Sequence, residues 1–175
     1  MNTPILETER LVLRPLAVSD AEHIFSCWAS DPVATKYMVW DTHTNVEMTK
    51  EWLGMEEAAI PDKNHFVWGF VLKDENILIG SGGITFRSGD NHHELGYIIA
   101  KPYWNRGLVS EAVAAMISFI KDKTDIRVIH AKHAVDNTAS GRIIQKNGFA
   151  FQCAGSYTSF NGTKTYDCLE YVLHL

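Results

Sequence analysis

Hydrophobic positions along this chain change their period several times, and each change marks an element. Residues Glu9 to Pro15 alternate, with Leu11 and Leu13 on one side and Arg10, Val12 and Arg14 on the other. A period of two is a strand, closed here by Pro15, which cannot donate to a ladder. Ser19-Asp20 then offers a helix cap, and Ala21, Ile24, Phe25 and Trp28 recur at helical spacing until Asp31-Pro32. Thr44-Asn45-Val46-Glu47 opens a second predicted helix, with Met48, Trp52 and Met55 on one face and Pro61-Asp62 as its break.

A β-rich block follows. His65 to Leu72, Ile77 to Phe86 and His92 to Ala100 are predicted strands. The turns between them are Lys73-Asp74-Glu75-Asn76 and Ser88-Gly89-Asp90-Asn91, so the three form an antiparallel meander. The period then returns to helical over Gly107 to Lys121, where Val109, Val113, Met116, Ile117 and Ile120 share a face. Arg127 to His133 is a strand and Thr138 to Lys146 a short helix. Phe149 to Phe160 and Thr163 to Leu173 close the chain as a hairpin around Asn161-Gly162. The order is β-α-α-β-β-β-α-β-α-β-β. It predicts a mixed α/β fold with an antiparallel half and crossover helices in the second half.

Composition narrows the class. The 175 residues, read as one domain over 1–175, are 46% hydrophobic and 21% charged, which is globular rather than disordered. Sixteen Lys and Arg against twenty-one Asp and Glu give −5, a poor balance for sequence-independent nucleic-acid binding. No run reaches the roughly 18 apolar residues of a membrane span. The polar start and three cysteines without a CxxC pair point to the cytoplasm. Cys27, Cys153 and Cys168 are expected in the core. Of eight histidines, His92-His93 and His130/His133 diverge on strands, so no metal site is expected.

The chemistry concentrates in Glu94 to Ala112. A strand runs through Glu94-Leu-Gly-Tyr97 into an Arg106-Gly107 turn, and a helix starts at once. The first amides of a helix lack internal partners and carry partial positive charge, which suits a phosphate or pyrophosphate. Gly107 lets the backbone approach such an anion, and Arg106 adds charge.

These residues resemble the acetyl-CoA-binding segment of the GNAT N-acetyltransferases, in particular the RimJ/RimL-like branch that acetylates ribosomal-protein N-termini. Further pieces match in order across nearly the whole chain: Thr8-Glu9-Arg10-Leu11-Val12-Leu13-Arg14-Pro15-Leu16, Asp31-Pro32 with Lys36-Tyr37-Met38, Tyr103-Trp104, Ser110-Glu111-Ala112, Asn137-x-x-Ser140 and Lys146-Asn147-Gly148-Phe149. The resemblance implies a sheet splayed at the cofactor site, with no metal. Backbone groups of Tyr97, Ile98 and Ile99 would bond the pantetheine arm. Trp104, Asn105, Arg106, Gly107, Leu108, Val109 and Ser110 would cradle the pyrophosphate. Trp104 and Val109 depart from the family pattern, which prefers Gln or Arg and Gly or Ala at those places. Asn137 would bond the arm, cap the following helix, or do both.

The resemblance also implies direct acetyl transfer to an amine in a ternary complex. A peptide α-amine, with pKa about 7.7–8.0, needs modest help from a base, whereas a lysine amine at about 10.4 needs more. Glu94 is the expected base, acting through a water, and Ser140 the expected acid. Ile144 stands where many family members carry a tyrosine acid. Tyr37, Met38 and Trp40 are the expected acceptor wall, with His133 a secondary titrating group and Trp68 and Phe86 further candidates. The acceptor implied is a protein or peptide N-terminus, with a small-molecule amine as the alternative and a non-catalytic acyl-CoA-binding module as the reading from another class. The chain is expected as a monomer or homodimer.

Overall fold

The computed structural model describes residues 2–175. A short strand, Leu6–Glu7 (β1), pairs antiparallel with Leu11–Arg14 (β2). Two residues are too few to show a period, so β1 had no forecast in the sequence. The predicted meander follows as His65–Leu72 (β3), Ile77–Arg87 (β4) and His92–Ile99 (β5), each antiparallel to the one before. β2 pairs with β3.

Between β2 and β3 lie two helical segments. A 3-10 turn at Val18–Asp20 runs into α1 (Ala21–Ile24) and a π-helical stretch, Phe25–Ala29. Helical structure therefore begins before the expected cap. Asp20 reaches back to the Ala17 N–H (2.9 Å) while the Arg14 guanidinium holds both its oxygens at 2.8 Å. The second helix, α2 (Val46–Ala59), is capped as expected by the Asn45 side chain, which accepts from the Met48 N–H. Its buried stripe is Thr49 and Leu53, and Met55 is 65% exposed. The expected face of Met48, Trp52 and Met55 is thus rotated, because α2 presents only an i, i+4 stripe to α1.

The second half carries the crossovers. α3 (Leu108–Lys123) joins β5 to a parallel strand, Val128–Ala134 (β6). α4 (Thr138–Lys146) leads to a hairpin of Ala150–Thr158 (β7) and Thr165–His174 (β8). β8 inserts between β6 and β7, so the sheet order is β1-β2-β3-β4-β5-β6-β8-β7. β7 is therefore an outer strand, which explains why Cys153 is exposed rather than in the core; Cys168 on β8 is buried as expected.

Two apolar layers flank the sheet. On the α3 face Leu11, Leu13, Phe66, Trp68 and Phe70 meet Val113, Met116 and Ile120. On the other face Val71, Leu78 and Ile98 meet Ile24, Trp28 and Leu53. Close strand packing at the centre depends on β4 glycines. A Cβ on Gly82 would lie 2.8 Å from Phe70 Cζ and 2.9 Å from both Gly96 O and Tyr97 Cβ.

Burial holds the pKa of His43, His93 and His130 below the ordinary value, and His92 adds repulsion at the last two. The unfolded chain therefore takes up protons first as pH falls through about 6.5. The stability these groups sustain is fully present above that value and declines toward their lowered folded values. The thermal midpoint is expected to drop between about pH 7.5 and about pH 5.5, with His43→Gln removing part of the slope. A midpoint flat over that range would contradict the burial.

Candidate active site

The cleft arises because two parallel strands part company. β5 and β6 pair only at His93↔Ile129 and Glu94↔His130. Beyond Glu94, β5 stays with β4 as far as Ile99 and β6 stays with β8 as far as Ala134. The gap between them is a cavity of about 630 Å³. Leu95 to Ile99 form one wall, Lys132 to Ala134 the other, and Asn137, Ser140 and Ile144 of α4 its floor.

At one mouth stands the start of α3. Asn105 and Gly107 both take left-handed backbone, φ 59° and 75°. At Gly107, immediately ahead of the helix, any Cβ would be strained. Glu111 is the first amide with a helical acceptor, Gly107 O at 3.2 Å. The N–H groups of Leu108, Val109 and Ser110 precede it in the first turn, where a helix offers its amides no internal acceptor. The Val109 side chain, which departs from the family pattern, is buried in the core and points away from solvent.

The turn is braced from β2. Arg10 donates to Arg106 O (2.9 Å) and to Glu111 Oε2 (2.7 Å), while Thr8 donates to Glu111 Oε1 (2.6 Å). Burial pushes the Glu111 carboxyl up, but the bonds from Thr8 and Arg10 outweigh it and hold the group below its usual range. Ser110 Oγ accepts from Asn147 Nδ2 at 3.2 Å. Arg106, Arg142 and Lys146 also line the cavity, so α4 contributes two cations that the sequence had not marked as cofactor-binding. Trp104 folds back and donates its indole N–H to Ile99 O at 2.8 Å. That carbonyl, expected to serve the pantetheine arm, is satisfied within the chain, and the open edge of Leu95 to Ile98 remains.

At the middle of the cavity, Glu94 is 8% exposed. Its carboxylate lies 2.9 Å from Lys132 Nζ, 3.4 Å from Arg87 Nε and 3.8 Å from His92 Nε2. Asn137 caps α4 by accepting from the Ser140 N–H (3.3 Å) and also lines the cavity. The Ser140 hydroxyl is 2.8 Å from the Tyr97 hydroxyl, which also donates to Ser140 O at 3.1 Å. Burial raises the pKa of the Tyr97 phenol well above its ordinary value. The Tyr97 side chain, Lys132 and Arg87 had no signal in the sequence, since their partners are distant along the chain.

The other mouth is walled by Tyr37, Met38 and Val39. Tyr157 donates to Tyr37 O (2.8 Å) and the Phe160 N–H to Val39 O (2.7 Å), so the closing hairpin pins this loop. Trp40 is not part of the wall: it packs into the layer under α1 and α2, 5.2 Å from the His43 ring. Trp68 and Phe86 do not reach the cavity either. Trp68 is buried on the α3 face, and Phe86 is exposed beside His93. His133 is buried, donates from Nδ1 to Ala134 O (2.8 Å) and stacks on Tyr171. Among the described residues no group of three or more His, Cys, Asp or Glu could hold a metal ion. Among them, too, no helix is long and apolar enough to cross a membrane.

Comparison with known proteins matches this geometry to a family. Residues 10–150 match the acetyltransferase (GNAT) domain. An uncharacterized N-acetyltransferase of Bacillus subtilis, YoaA, is 32% identical over 170 residues, 96% of this chain and 95% of that protein. The ribosomal protein uS5-alanine N-acetyltransferase of Escherichia coli is 26% identical over 151 residues, 82% of this chain and 77% of that protein. Among solved structures, the RimL ribosomal L7/L12 α-N-protein acetyltransferase, in complex with coenzyme A, superposes with a TM-score of 0.80 over 98% of both chains at 17% identity. The splayed sheet, the open amides of α3 and these matches together establish that the chain belongs to the GNAT family and is an acetyl-CoA-dependent N-acetyltransferase.

Proposed function

We propose that this enzyme acetylates the α-amine of a protein or peptide N-terminus, as a RimJ/RimL-like member of its family. The observation that carries the reading is a cavity that runs from the α3 amides, past Glu94 and Ser140, to a mouth walled by Tyr37 and Met38. A chain end can enter there while the cofactor occupies the opposite end. The Escherichia coli relative is named for acetylating an alanine of a ribosomal protein, which supports a protein acceptor.

The residues present fit the cofactor. The amides of Leu108, Val109 and Ser110, with Arg106, Arg142 and Lys146 beside them, would hold its phosphates. The edge of Leu95 to Ile98 and Asn137 would hold the pantetheine arm. Acetyl-CoA supplies the thioester whose acetyl group is transferred. Glu94, placed by Lys132 and Arg87, faces the entering amine and takes its proton through a water. Ser140 gives a proton to the departing sulfur.

An acceptor screen that follows CoA thiol release tests this reading. Peptides with free Ala, Ser or Met N-termini are expected to turn over fastest, with N-blocked peptides inert. Turnover confined to polyamines, amino acids or antibiotics would replace the acceptor class. Glu94→Gln is expected to lower kcat/KM for the peptide by roughly 10²-fold while acetyl-CoA still raises the thermal midpoint. Unchanged turnover would remove Glu94 from the chemistry.

A further inference from the structure

We infer that Tyr97 is a positioning residue for proton delivery: it holds the Ser140 hydroxyl as the donor to the departing sulfur. The inference rests on Ser140 being the acid and goes beyond it by naming what orients that acid.

A serine hydroxyl is a rotor with one proton and two lone pairs. Free in a cavity, its proton samples several directions, and only some point at the leaving group. Tyr97 restricts the rotor. Its hydroxyl lies between Ser140 Oγ (2.8 Å) and Ser140 O (3.1 Å). The carbonyl can only accept and the Oγ contact can run in either direction; Tyr97 orients Ser140 in the arrangement where its one proton bridges the carbonyl and Oγ. Once Oγ accepts from Tyr97, the Ser140 proton is left to face the cavity.

Two features keep the phenol in place. The Tyr97 Cβ packs against Gly82 across the ladder, where even a methyl group would lie 2.9 Å away. Burial keeps the phenol protonated, so it remains a donor at any working pH. The helix cannot provide this group itself. Ile144, one turn beyond Ser140 on α4, is 1% exposed and belongs to the core. The strand side of the splay supplies the phenol instead.

The proton balance is simple. The amine nitrogen bonds to the thioester carbonyl carbon, the C–S bond breaks, and its electron pair leaves on sulfur. One proton leaves nitrogen toward Glu94, and one reaches sulfur from Ser140. Ser140 is reprotonated by water from the open cavity, and Tyr97 keeps its proton throughout.

The test is a double-mutant cycle of Tyr97→Phe and Ser140→Ala on the full chain. It measures kcat, the KM for acetyl-CoA and the thermal shift given by acetyl-CoA. Tyr97→Phe is expected to lower kcat about 10-fold with KM for acetyl-CoA within about twofold of the parent. The double variant is expected to match Ser140→Ala, because Tyr97 acts only through that hydroxyl. Losses that multiply in the double variant would overturn the inference. So would a Tyr97→Phe variant with full kcat and a lowered thermal midpoint, which marks a merely structural bond. A fully active Ser140→Ala variant would instead overturn the acid assignment beneath it, and the two failures are distinguishable.

Discussion

Replacing Trp68 by Ala is expected to cost about 3–5 kcal/mol of stability. Trp68 is fully buried on the α3 face of β3, stacked 6.1 Å from Phe66 and edge-on to Phe119 at 5.7 Å. Its indole N–H also donates to Pro4 O at 2.7 Å, tying the N-terminal segment to the sheet. Truncation removes the ring, opens a cavity in a rigid aromatic cluster and frees that segment. Against a typical total of about 5–15 kcal/mol, the variant sits near the edge of folding. The thermal midpoint should fall by roughly 6–20 °C, and urea unfolding should show the same loss at unchanged slope. Because Trp68 does not line the cavity, acetyl-CoA should still stabilise the variant when cold. A loss below about 1 kcal/mol would mean that the cluster collapses freely onto the gap.

Ser140→Ala is expected to lower kcat by roughly 10²–10⁴-fold, the usual range for a lost general acid. Its structural cost should be small. Asn137 caps α4 through the Ser140 backbone N–H, which alanine retains. Alanine is also a better helix former than serine. The KM for acetyl-CoA and the thermal shift should therefore stay near parental values while turnover collapses. Activity within about threefold of the parent would reassign the proton to another donor, and the nearest hydroxyl is that of Tyr97.

Several site features were legible in the chain alone because they are local. The Gly107 turn, the helix after it and the cap at Asn137 each occupy a few consecutive residues, and each has a known residue preference. Glu94 was legible through its place in the Glu94-Leu-Gly-Tyr97 segment. Trp40 lies outside the expected wall for the opposite reason. An aromatic residue in a loop or strand suits a pocket wall or a core equally well, and only the packing of α1, α2 and α3 separates the two. Met55 shows the same limit, since period alone cannot set how wide a helical stripe is buried.

By itself the sequence determined the element order from β2 onward, the antiparallel meander, the strand-turn-helix junction and the family. All of these follow from residue period, turn chemistry and ordered motifs, which are properties of near neighbours. Tertiary structure alone decided where β5 leaves β6, that β8 inserts inside β7, and which cations surround Glu94. It alone brought Tyr97 to Ser140 across 43 residues of chain. These pairings depend on long-range closure of the sheet, whose energy is shared among many contacts, so no local pattern announces them.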